Sequence, residues 1–539
     1  MKKYIIGGLV VSSLLLSGCM DGFLERNPFG QIDETTFFFE EEHANLAAIA
    51  AYSKLQKLNK HWADAQLELG MTGDFSDTGF KELQPFIGAS FNPNESNIVL
   101  GVWKSAYDGI AICNKGIEGV TGMSDKDIST EKREQYLAEL RFVRAFWYFR
   151  LIQFYGDVPM RTSSVENPSD VGQVQMPATS KDKILKDLIL PDLEFASTKL
   201  PQKWNDANYT RATRGAAWAY LCEVYLYMND YDKAITAGGE VEKLGYRLID
   251  NPGNVLRVDY ENSSELIFTV GFGNGASTYR DFYFGTIEDL GEDGRIMRGD
   301  SYSGDYIYPS KDFVDFFQTI DGKSIKGNSP YYDASVAWKN RDPRFDTTFF
   351  TTMDEIKTTK NKVLNWKNDW LVNTSTGYDI QKRGVWYGDD NWNVQADIHL
   401  MRLPRVYLHM AEAYAKKATP DFEKCASYVE KVRSRTRQFA LANRAKYVPQ
   451  GLADKDVLPA FPVTNIDQAM SAINYESRVE FFTEDCIRYF DLKRWGKLAD
   501  EWAREGQFTW SDKFYNLPIP ASELTANKSL KQNHPAWGN

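Results

Sequence analysis

The sequence of 539 residues predicts a mostly α-helical protein: a scaffold of helix-turn-helix pairs packed against an irregular, loop-rich region with few short strands. Three observations carry that expectation. Residues 139–155 are apolar around most of a helical wheel, as in a helix covered by protein on nearly every side. Large and small residues recur at a fixed spacing in 218–234 and again in 407–425, as in helices that nest in pairs. Between the two, about 250–400 is rich in Gly, Asp, Asn and aromatics, with one strand-like run from Glu265 to Val270.

At the N-terminus, Lys2 and Lys3 precede an apolar run from Tyr4 to Leu16, too short and wrongly flanked for a stable membrane span. Ser17 and Gly18 directly before Cys19 have the pattern of a lipobox. Residues 1–18 are therefore expected to be a lipoprotein signal peptide and Cys19 the lipidated residue; the alternative is an ordinary secretory signal and a soluble periplasmic product. Several acyl chains on one residue exceed the two signals that stable anchoring takes. The formal charge of −11 becomes −13 once Lys2 and Lys3 are removed, a surface that repels nucleic acid and leaves anchoring to the lipid. Cys113, Cys222, Cys425 and Cys486 are far apart and lack CxxC, so buried free thiols are expected, with disulfide pairing left open.

Taken in order, residues 20–28 form a polar tether, and a helix is expected over about 40–58 with Ala44, Ala47, Ala48, Ala51, Leu55 and Leu58 on one face. Residues 70–100 mix turn formers with phenylalanines, the mark of a functional loop. Helix resumes from Val102 to Gly116, and the interior helix follows over about 130–155, closed by Gly156 and Pro159. Arg141, Arg144 and Arg150 interrupt its apolar surface and are expected to pair with carboxylates or helix-end carbonyls.

Trp218-x2-Leu221-Cys222-x2-Tyr225 with Ala234 matches the tetratricopeptide spacing, apart from the cysteine, and Asn229, Asp230 and Tyr231 turn the chain. Tyr407-x2-Met410-Ala411-x2-Tyr414 with Cys425 repeats it after a turn two residues longer. Pairs 40–58 with 101–119 and 131–155 with 182–199 supply two more units, enough to bury a continuous face. The mature body, 19–539, thus reads as one unit: helix pairs over about 40–250 and 400–437, a loop-rich insertion over about 250–400, and C-terminal helices and a tail over 438–539. The prolines of Leu517-Pro518-Ile519-Pro520 are expected to hold that tail extended along the surface.

Motifs for catalysis are thin. His43, His61, His399, His409 and His534 form no HExxH, there is no GxSxG, and Gly271 to Gly275 lacks the dinucleotide spacing, so no cofactor is expected. The acidic clusters at 288–294 and at Asp389 and Asp390 read as solvated turns, with a structural Ca²⁺ as the alternative. A carboxylate pair for glycoside cleavage leaves no sequence signature.

Several stretches in order along the chain carry a resemblance: Cys19 to Pro28 with Phe23-Leu24-Glu25; Arg141 to Pro159, ending Tyr-Gly-Asp-Val-Pro; Asn340 to Phe345; Arg402 to Ala413; and Glu476 to Phe481 running into Arg488 to Gly496. Pro518 to Pro520 and Asn533 to Pro535 add to it. With these the chain resembles the SusD/RagB family of outer-membrane nutrient-binding lipoproteins. The resemblance implies a tetratricopeptide-like scaffold, a surface-exposed lipoprotein without catalytic activity, a glycan ligand, and delivery to a SusC-like TonB-dependent transporter. It also implies that Asp21 belongs to an export signal for the outer face of the outer membrane. Peptide or other nutrient capture by the same architecture is one alternative, and a lipid-anchored glycan-active enzyme the other. Sugar rings stack their C–H faces on aromatic planes while carboxylates and amides take the hydroxyls. The expected platform is Phe75, Phe80, Tyr279, Tyr302, Tyr306, Trp338 and Trp392, with Asp74 and Asp77 as polar partners.

Overall fold

The computed structural model describes residues 37–60, 72, 74–76, 90–95, 98–167, 169–257, 260–272, 286–289, 296–298, 308–350, 355–357, 363–365, 376–380, 382, 385–386, 397–504 and 510–538. The fold is mainly helical, with short strands in small sheets. Among the described residues no helix is long and apolar enough to cross a membrane.

The interior helix is α3, Thr130–Tyr155; α1 is Glu41–Leu55 and α2 is Val99–Gly122. Ser129 starts α3 by accepting from the Lys132 amide, and Gly156 ends it at φ +78°, a conformation that favours glycine. From Tyr136 to Tyr155 every side chain is buried except Arg141, which is half-buried. Helices α1 and α2 both pack on α3. Gly109 lets α2 approach so closely that a Cβ there would run into the Trp147 indole. On α1 the buried residues are Ala44, Ala48, Ala51 and Leu55, the expected face.

The arginines of α3 divide. Arg144 holds Asp192 through two bonds of 2.8 and 2.9 Å and gives a third, 2.9 Å, to Asn114; Arg150 pairs with Asp485. Arg141 makes no bonded ion pair among the described residues: its guanidinium lies 4.3 Å over the Phe195 ring, while its charge still acts on the Asp192 carboxylate. Phe195 belongs to α4, Leu190–Lys199, which continues from a π-helical stretch, Leu185–Ile189. Pro191, just beyond that stretch, has no N–H to give to the turn before it.

Helices α5, Arg214–Tyr227, and α6, Tyr231–Glu242, form the third pair; α7, Leu403–Lys416, and α8, Phe422–Ala442, form the fourth. Asn229 takes a positive φ at the first of these turns, and Asp230 and Asp421 cap the helices that follow. Although 160 residues separate them, α6 packs directly on α7: Gly238 faces Met410, and a Cβ there would also meet Cys222. Strands β2, Leu266–Val270, and β4, Ile398–Arg402, explain the continuity. They pair antiparallel with a bulge and close the two ends of the intervening segment against each other, so the helix stack runs on as though uninterrupted. All four described cysteines are buried and free.

Helices α9, Ile466–Glu480, and α10, Ile487–Arg494, follow. The tail corrects the expectation of a surface run. Residues 517–520 are buried, the Leu517 amide donates 2.8 Å to the Phe154 carbonyl, and the Asn533 amide side chain donates to the Tyr155 and Leu517 carbonyls at 2.9 and 2.7 Å. The Phe154 and Tyr155 carbonyls end α3 with no helical partner, so the tail serves as their cap.

Candidate functional site

Outside the main core, a second apolar cluster gathers Phe313, Phe317, Phe345, Phe349 and Ile380 against Phe482 from the scaffold side. Phe313 stacks on Phe482 at 4.2 Å. Trp338, half-buried, packs on this cluster together with Phe316 and Tyr378. It follows a 3₁₀ turn, Ala334–Val336, whose first amides are capped by Asp333.

Arg341 fixes the loop. Its guanidinium donates at 2.8–2.9 Å to the carbonyls of Val314, Phe317 and Ala337 and lies between the Phe345 and Tyr332 rings, at 4.8 and 5.8 Å. Burial holds its pKa below the usual arginine value. The Lys339 ammonium lies 5.2 Å over the Trp338 ring. Trp338, Tyr332, Lys339 and Tyr378 therefore share a surface built on a rigid base, with Asp315 and Asp346 close enough to act on the Tyr378 hydroxyl. Flat apolar faces beside an ammonium and carboxylates can stack a ring and bind its hydroxyls.

The base is tied to the helices by buried charge. Glu480 of α9 accepts from Arg402 at 2.7 Å, Arg344 at 3.2 Å and Arg435, while Lys382 donates to its main-chain carbonyl at 2.6 Å. Around it, Glu484 takes Arg402 and Lys382 at 2.7 Å each, and Glu265 takes Arg402 at 2.7 Å. Glu476 bridges Arg344 at 2.7 Å and Arg433 at 3.0 Å, and Asp342 closes on Arg344 at 2.7 Å. The facing guanidinium groups hold Glu480 well below the usual carboxylate range and Glu484 down to about 2, against the opposing effect of burial. Charges so deeply buried persist because each is matched. Glu265, Asp342, Arg344 and Lys382 come from the loop-rich segment; the other partners come from β4, α8, α9 and the turn after α9.

Of the residues expected at a ligand surface, Asp74 lies in the interior. It is 1 % exposed and its carboxylate is held by Arg478 at 2.8 Å, with Arg488 at 4.0 Å, so it secures the fold and faces no ligand. Phe75 is in strand β1, Phe75–Ser76, whose backbone pairs with β3, Tyr308–Pro309. Trp338 lies on the surface just described. Asp77, Phe80, Tyr279, Tyr302, Tyr306 and Trp392 lie outside the described residues, as does Cys19. Glu288 and Asp289 fall in a short strand, Thr286–Asp289, and the remaining acids of the two clusters are also outside the described residues. Tyr332, Lys339 and Tyr378 were not expected; one cue was available, the neighbouring arginine-rich run 340–345 that organises them.

Comparison with known proteins agrees along the whole chain. Residues 264–537 match a family model described as SusD family, and residues 22–226 match one described as starch-binding associating with outer membrane. A SusD-like protein P2 of Formosa agariphila is 25% identical, covering 100% of both chains, and a SusD-like protein P25 of the same organism is 23% identical over 98% of each. Among solved structures, a SusD-like protein from Bacteroides fragilis aligns with a TM-score of 0.75 at 21% identity over 95% of this chain and 100% of its own. A laminarin binding SusD-like protein aligns with a TM-score of 0.68 at 21% identity, over 92% and 99%.

Proposed function

The chain belongs to the SusD family, and from that premise we propose that it binds glycans at the cell surface without cleaving them and hands them to a SusC-like TonB-dependent transporter. The likeness over the full length of SusD-like proteins carries the reading, because it covers scaffold and loop-rich segment together. Similar structures support the ligand class: one is a laminarin binding SusD-like protein, and others are surface glycan-binding proteins of Bacteroides. The aromatic surface around Trp338 supplies the chemistry that sugar rings need. Anchoring through lipid on Cys19, removal of residues 1–18 and an outward-facing position in the outer membrane complete the proposal.

The test is affinity electrophoresis of residues 20–539 in gels containing plant, host and microbial glycans, with reducing ends assayed alongside. Retention by at least one polysaccharide with no new reducing ends is expected. Retention by none would turn the reading to another nutrient, and released reducing ends would make the protein an enzyme.

A further inference from the structure

A groove of about 750 Å³ lies far from Trp338 in the chain, between α2, the segment after α3 and a short C-terminal helix, Ala521–Ala526. Its size falls within the range of small-molecule sites. Trp103, Tyr107 and Leu530 line its mainly apolar floor, and Lys104, Asp108 and Glu523 stand at its rim. Among the described residues these three rim groups make no side-chain hydrogen bond or ion pair. Several polar groups of the walls are engaged: the Tyr107 hydroxyl donates to the Pro159 carbonyl at 2.7 Å, Asn114 to the Arg161 carbonyl at 3.1 Å, and Asn527 to the Met176 carbonyl at 2.7 Å. Arg161 is held by two carbonyls at 2.6 Å. These bonds hold the walls in place, and charged groups with free hydrogen-bonding capacity stand at the rim.

Resting on the glycan reading above, we propose that this groove is a second saccharide-binding site, taking a short neutral oligosaccharide segment. An apolar floor suits the C–H faces of sugar rings, and unpaired carboxylates with an ammonium accept from and donate to hydroxyls. An anionic ligand would meet two rim groups of its own sign and a cationic ligand one, and an acyl chain would use the floor and none of the rim. Two sites on one rigid body raise avidity for a long chain over a short one.

The test is calorimetry with a short neutral oligosaccharide cut from a polysaccharide that the protein retains. Ala526→Trp fills the groove from an exposed position on its wall, and Trp338→Ala is the complementary variant. Two equivalents per wild-type chain are expected, one in each variant, with the Ala526→Trp melting temperature unchanged. Stoichiometry and affinity unaltered by Ala526→Trp overturn the second site alone. A wild type that binds no glycan overturns both readings. A groove that takes a fatty acid, loses it in Ala526→Trp and ignores sugar also overturns the proposal.

Discussion

Glu480→Gln is expected to lower the stability of the protein by on the order of 3–5 kcal/mol, because it breaks a buried ion cluster from one side only. Glu480 is 3% exposed and faces Arg344, Arg402 and Arg435, with Lys382 close by. An amide is nearly the same shape, yet it leaves that positive charge short of a partner. Urea denaturation of residues 20–539 reads the loss. Asp500→Asn is the control: its ion pair with Lys497, 2.8 Å long, is exposed, and such pairs are worth about 0–1 kcal/mol. A Glu480→Gln midpoint as small in its shift as that of Asp500→Asn would mean that the cluster does not secure the loop-rich segment to the helices.

The second large effect is on acid stability, and its sign follows from the direction of each shift. Glu480, Glu484 and Asp491 have folded pKa values depressed by arginines, so their stabilisation is complete above their unfolded values near 4. It drains away as pH falls through their depressed folded values, about 2 for Glu484. His409 acts earlier. Burial, with Arg405 and Arg494 nearby, depresses its pKa well below the usual value, and among the described residues neither ring nitrogen has a hydrogen-bond partner. The folded state keeps it neutral while the unfolded chain takes up a proton below about 6.5, so stability declines from there downward. Urea midpoints measured from pH 8 to 3 should therefore fall in two steps, and His409→Leu should flatten the step between pH 7 and 5. If that variant follows the wild-type profile throughout, His409 is not the group being titrated.

The helix pairs were legible because their signal is local. Alternating large and small residues in 218–234 and 407–425 need only neighbouring turns to make sense, and the apolar run of α3 states its own burial. The charge cluster was not legible as structure. Arg478 reaches Asp74 across 404 positions and Arg150 reaches Asp485 across 335, distances over which a sequence gives no pairing information. The stretches that carried the family resemblance, 340–345, 402–413, 476–481 and 488–496, prove to supply many members of these clusters, including Arg344, Arg402, Glu476, Glu480 and Arg488. Their resemblance therefore concerns the framework. Asp74 misled for the same reason: a turn-rich setting looks exposed, and only the fold reveals the Arg478 guanidinium above it. The tail misled because its prolines describe backbone shape and say nothing about what covers it. At the candidate site, Trp338 was legible as an aromatic residue in a loop, whereas Tyr332 and Tyr378 join it through Arg341 and the phenylalanine cluster.

The central claim is that an aromatic surface in the loop-rich segment holds glycan on a rigid helical frame without cutting it. Its most direct test is calorimetric titration of residues 20–539, wild type and the Trp338→Ala/Trp392→Ala pair, with a retained polysaccharide and with reducing ends followed in the same samples. An affinity loss of at least about tenfold is expected in the variant, equivalent to about 1.4 kcal/mol, with its circular-dichroism spectrum that of the folded wild type and no reducing ends from either protein. Equal affinity in the two proteins, or reducing ends released by the wild type, would contradict it.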